Sequence, residues 1–175
     1  MTCIVGLEVL HGVWLGSDSF SGNEGWRSVI DPKRKIVDVA DMMVGIAGAW
    51  ALREVLLTAR RPEAVNDDEL TLFRYASAWR ERAVDLGFAT TEDGATRTPN
   101  RGEGHALIAY RGRLWRLQSD WTLIKAPPFE AIGSGGCYAE GALAATEGNM
   151  PSEDRMKAAL GAVDVLPRAD AQEPV

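Results

Sequence analysis

Thr2-Cys3-Ile4-Val5-Gly6-Leu7-Glu8-Val9, then Leu10-His11, then Gly12-Val13-Trp14-Leu15-Gly16-Ser17-Asp18-Ser19 is the stretch from which the rest of the chain can be read. Both runs are β-prone and largely apolar, and a short connection joins them, so they predict a hairpin that begins at the first residues. Met1 precedes Thr2. If Met1 is removed, Thr2 presents a hydroxyl and a free α-amine on one residue at the tip of a strand, a nucleophile carrying its own base.

The same alternation continues downstream. After the polar stretch Phe20 to Asp31, expected as a long loop or loosely paired ribbon, Ile36-Val37-Asp38-Val39 and Met42 to Gly48 predict a second hairpin. Trp50 to Arg60 has a helical apolar period and stops at Arg61-Pro62. Asn66-Asp67-Asp68-Glu69, N-cap candidates and acids suited to the positive end of a helix dipole, launches a second helix running to Gly87. Thr90 to Gly104 reads as a polar loop. His105–Tyr110 and Arg113–Gln118 predict a third hairpin, and Phe129-Glu130-Ala131-Ile132 a strand that enters Gly133-Ser134-Gly135-Gly136. Helices are expected from Cys137 to Glu147 and, with a weak capping box at Ser152-Glu153-Asp154-Arg155, on through Met156, Ala159, Leu160 and Val163. Runs of strands alternating with helix pairs argue for antiparallel sheets covered by helices rather than a parallel βαβ sheet. Residues 1–166 are expected to form one domain and 167–175 a short polar tail.

Composition narrows the function. The 175 residues are 46% hydrophobic with a net charge of −6, an ordinary globular balance that offers no chain-wide basic field for nucleic acid or an anionic membrane. No apolar stretch approaches the roughly 20 residues that span a bilayer, and the N-terminus lacks a signal-peptide pattern, so a cytoplasmic location is expected. Cys3 and Cys137 read as small buried thiols in a reducing compartment. His11 and His105 read as turn or surface residues, which leaves no metal site and no cofactor expected. Gly133-Ser134-Gly135-Gly136 lacks the Lys-Ser/Thr of a phosphate-binding loop.

Five segments in order, Thr2-Cys-Ile-Val-Gly, Gly12-Val-Trp-Leu-Gly-Ser-Asp18, Lys35-Ile36, Val44-Gly-Ile-Ala-Gly48 and Ala131-Ile-Gly-Ser-Gly-Gly136 with Tyr138-Ala139, resemble the N-terminal-nucleophile hydrolases of the proteasome β-subunit type, and among them the HslV peptidase. The resemblance runs from residue 2 to about 164. It implies a four-layer αββα sandwich of two antiparallel sheets, here C-terminally shortened and one sheet short of edge strands. It also implies a threonine peptidase that works inside a homo-oligomeric ring with a partner ATPase unfoldase on unfolded protein or peptides.

By the same resemblance Thr2 corresponds to the nucleophile and base, Asp18 and Lys35 to the acid and lysine beside it, and Gly48 to the oxyanion N–H. Ser134 and Asp164 correspond to the polar pair near the amine. Pro167 stands where the family has a serine. Other readings of the same residues are a strand-end turn at Asp18, a solvated basic loop holding Lys33, Arg34 and Lys35, and plain strand-to-helix turns at Gly48 and Gly133–Gly136. At the level of the whole protein the rivals are a non-catalytic shell subunit that retains Met1 and an amidase acting on a small amide.

Overall fold

The computed structural model describes residues 2–23, 26–29, 35–92, 95–97 and 104–164. Met1, Lys33, Arg34, Pro167 and the 166/167 boundary lie outside the described residues. The strands are β1 (Ile4–Val9), β2 (Gly12–Ser17), β3 (Phe20–Asn23), β4 (Trp26–Val29), β5 (Ile36–Val39), β6 (Met42–Ala47), β7 (Thr90–Glu92), β8 (Ala95–Arg97), β9 (His105–Tyr110), β10 (Arg113–Leu117), β11 (Leu123–Lys125) and β12 (Phe129–Ile132). The helices are α1 (Ala51–Thr58), α2 (Asp68–Asp85), α3 (Gly136–Ala145) and α4 (Ser152–Asp164).

Two antiparallel sheets dominate. One runs β12-β1-β2 and the other β11-β10-β9-β6-β5. Period-two alternation sorts their side chains into three cores. Cys3, Val5 and Ala131 of the smaller sheet pack against Ala139, Leu143, Ala159 and Val163 of α3 and α4. Ile4 and Ile132 point the other way, onto Ala47, Leu107, Ala109 and Leu114 of the larger sheet. The far face of that sheet, including Val44, Ile46, Ile108 and Trp115, meets Leu52, Val55 and Leu56 of α1 and Leu72, Tyr75 and Trp79 of α2. The result is the expected αββα order of layers.

The sheets approach closely where Gly45 faces Ile4. A Cβ on Gly45 would overlap Ile4 Cγ2, so the absence of a side chain there sets the spacing between the layers. Overpacking a filled interior costs typically 1–3 kcal/mol. Gly45→Ala is therefore expected to lower unfolding stability by about that amount in urea titration.

Local signals mark the helix ends. Asp67 caps α2, its Oδ1 accepting from Leu70 N at 2.8 Å. Arg155 N donates to Pro151 O at 3.0 Å, which makes Ser152 the first residue inside α4 rather than the cap expected of it. Within the stretch expected as a loop, β7 and β8 pair as a two-stranded ribbon from Thr90↔Arg97 to Glu92↔Ala95. A strand not anticipated, β11, adds to the edge of the larger sheet through Leu117↔Leu123.

Candidate active site

The N-terminal end of β1 lies where three chain exits converge. β12 leaves the sheet opposite Ile4 at Ile132, β2 leaves it opposite Ile4 at Ser17, and β6 ends at Ala47. Thr2 is bracketed by the turn after β12. Thr2 N donates to Ser134 Oγ at 3.1 Å, and Gly135 N donates to Thr2 O at 3.2 Å.

Gly133 permits that closeness. Its φ is 94°, and a Cβ on it would overlap the Thr2 carbonyl and come within 3.3 Å of Ala47 Cβ. Only glycine tolerates both the backbone angle and the approach. The glycine run therefore serves as a close-packed turn against Thr2, and no phosphate cradle is needed to explain it.

Asp18 and Lys35 form the charged part of the site. Lys35 Nζ donates to Asp18 Oδ1 at 2.7 Å with both side chains nearly fully buried. The same carboxylate oxygen accepts from Cys3 N at 2.7 Å, and Asp18 N returns a bond to Cys3 O at 3.2 Å. A lysine that is 1% exposed beside an acid that is 6% exposed is not a solvated basic loop. Charges of this kind are tolerated inside a protein only when paired and hydrogen-bonded. Lys35 reaches this position because its backbone extends the β5–β6 ladder by one step, Ile46 N donating to Lys35 O at 2.8 Å. Through Asp18, a buried ammonium is tied to the residue that follows Thr2.

The remaining expected residues fall as follows. Gly48, with φ 96°, follows β6 directly. Asp164 is the last residue of α4. Val163 beside it contacts Gly135 and packs with Cys3, so the end of α4 belongs to the same end of the sandwich.

Two sequence expectations change. Cys137 is exposed, not buried: it is the second residue of α3, and the helix turns Ala139 and Leu143 rather than Cys137 toward the core. His105 opens β9, at the start of a strand as expected, but it is half-buried, directly opposite Ala47, rather than at the surface. Leu107 and Ala109, two and four residues on, face the gap between the sheets. The period-two alternation puts His105 on that same face, a signal present in the sequence.

Among the described residues no cluster of His, Cys, Asp or Glu is arranged to hold a metal ion. No helix among them is long and apolar enough to cross a membrane.

This architecture is similar in fold to the solved structures of BPH, HslV and Anbu. Solved structures match it over most of the chain. BPH from Thiobacillus denitrificans in complex with epoxomicin superposes with a TM-score of 0.74 at 18% identity, covering 92% of this chain and 88% of that one. HslV from Trypanosoma brucei gives 0.64 at 18% identity over 92% and 89%. The Anbu (Gly-1) mutant from Hyphomicrobium sp. strain MC1 gives 0.63 at 15% identity over 94% and 74%. No protein-family model matches the sequence, and no curated protein matches it.

Proposed function

We propose that the protein is a threonine peptidase of the HslV and proteasome type, with Thr2 as nucleophile once Met1 has been removed. The observation that carries the reading is the convergence of Ser134 on Thr2 and of Asp18 on Cys3, with Lys35 paired to Asp18, from parts of the chain far apart in sequence.

In this mechanism the freed Thr2 amine takes the proton of the Thr2 hydroxyl, directly or through a water. A free α-amine has a reference pKa of about 7.7–8.0, so a useful fraction is unprotonated near neutrality. The hydroxyl oxygen attacks the peptide carbonyl. The Gly48 N–H donates to the oxygen that becomes negative, a contribution of a few kcal/mol to the barrier for such donors. Collapse expels the amine half of the substrate, which takes up the proton, and leaves an ester on Thr2. Water then attacks the ester and restores the hydroxyl.

Lys35 supplies fixed positive charge that disfavours protonation of the amine and favours the oxyanion, and Asp18 holds Lys35 and the Cys3 backbone in place. Ser134 and Asp164 orient the amine. The resemblance further suggests a homo-oligomeric ring in the cytoplasm, fed with unfolded chains by an ATPase.

The test is Thr2→Ala in protein otherwise mature at its N-terminus. Fluorogenic peptide turnover is expected to fall to background while the unfolding midpoint stays put, since the bonds made by Thr2 N and O belong to the backbone. Unchanged turnover contradicts the assignment, and turnover of small amides without peptides favours the amidase reading.

A further inference from the structure

Among the described residues the two main sheets end in four edge strands: β12, β2, β11 and β5. Natural edges are blunted against pairing with another chain by shortness, charge, proline or bulges. Three of these four are. β11 has three residues and ends in Lys125. β5 has four residues and carries Asp38. β12 has four, contains Glu130 and follows Pro127-Pro128. β2 has six residues, Gly12-Val13-Trp14-Leu15-Gly16-Ser17, with no charge and no proline, and it pairs without interruption along β1 from Val9↔Gly12 to Ile4↔Ser17.

The direction of its open hydrogen-bonding groups follows from β1. Glu8 N donates to Pro128 O on the β12 side, whereas Cys3 O accepts from Asp18 N on the β2 side. The main-chain groups of a strand alternate sides, so Leu7 and Val5 face β2 and bond Trp14 and Gly16. The N–H and C=O groups of Val13 and Leu15 therefore point away from β1, to the outside of the sheet.

We propose that β2 is a self-pairing edge at which two copies of this chain join antiparallel about a two-fold axis beside Trp14. Val13 of one copy bonds the partner's Leu15, and Leu15 bonds the partner's Val13. This register makes Trp14 and the partner's Trp14 a directly opposed non-hydrogen-bonded pair, the closest cross-strand arrangement of side chains. Both rings then lie on one face, and each is 41% exposed in the single chain. Gly12 falls opposite the partner's Gly16 on that same face, so β2 itself places no bulky group beside the indole pair, and Met156 and Leu160 of α4 lie over each Gly16. The absence of charge on β2 means that self-juxtaposition brings no like charges together. Two three-stranded sheets become one of six, through an isologous interface. The proposal is independent of the peptidase reading, because it concerns an edge and not the Thr2 site.

Hydrogen exchange of the full chain, read at the β2 amides at two protein concentrations, tests it. The Trp14 and Gly16 amides, bonded to β1, should be protected throughout and report that the hairpin is folded. The Val13 and Leu15 amides should be protected at high concentration and should exchange at least tenfold faster after hundredfold dilution. Trp14→Lys should release them at both concentrations, and Trp14→Thr should do so partly while keeping β propensity. Val13 and Leu15 amides that exchange freely at every concentration would overturn the proposal. So would protection that dilution does not change, which would mean that the edge is covered from within the same chain, by residues 165–175 or another segment.

Discussion

With any residue left attached in front of Thr2, the protein will hydrolyse peptides roughly 10²–10⁴-fold more slowly than the same chain beginning at Thr2, the range that a positioned general base contributes. An amide nitrogen has no lone pair available for a proton, whereas a primary amine does, so the added residue removes the base while leaving the hydroxyl in place. The fold should be indifferent to the difference. Ser134 Oγ can accept from an amide or an amine, and the Gly135 bond falls on the Thr2 carbonyl. The comparison needs two preparations, one released by a protease that leaves Thr2 first and one carrying an extra residue, assayed on the same peptide with matched unfolding curves. Equal rates would show that the amine plays no part.

Asp18→Ala should destabilise the protein by about 3–5 kcal/mol, the usual cost of removing one partner of a buried ion pair. The cause is what it leaves behind: a buried Lys35 ammonium without its carboxylate, and a Cys3 N–H without its acceptor. Asp18→Asn keeps an acceptor for Cys3 and should cost less. Asp18→Asn with Lys35→Met removes both charges and should recover most of the loss, because replacing both partners of a buried pair is often near neutral. Urea unfolding of the three variants measures the series. If the pair serves the reaction as proposed, the double variant will be stable and yet inactive. That outcome separates a role in chemistry from a role in folding.

Much of this architecture is visible in the order of residues, and the reason is periodicity. The strands of the first, second and third hairpins alternate so regularly that Cys3 and Val5 separate from Ile4, and Met42, Val44 and Ile46 from Gly45 and Ala47. What periodicity does not encode is length in short elements and the fate of isolated charges. β7, β8 and β11 have only three residues each, too few to show a period. Lys35 follows Lys33 and Arg34, and nothing in three consecutive cations says which one turns inward. Its burial follows from a tertiary partner, Asp18, contributed by the other sheet's hairpin. Exposure of Cys137 was hidden for a related reason: in the alanine-rich α3 nearly every position is small, so the sequence hardly marks which face is buried.

The most direct test of Thr2 as nucleophile and base together is the intact mass of the purified protein after incubation with a peptide epoxyketone. Such a compound carries two electrophilic carbons spaced to meet a hydroxyl and an amine on one residue, the ketone taking the oxygen and the epoxide the nitrogen, so that a ring closes on the N-terminal residue alone. A protein lacking Met1 that gains one inhibitor mass on the peptide beginning at Thr2, with no gain in Thr2→Ala, is the predicted result. A protein that retains Met1, or that lacks it and gains no mass under the same conditions, would contradict the proposed mechanism.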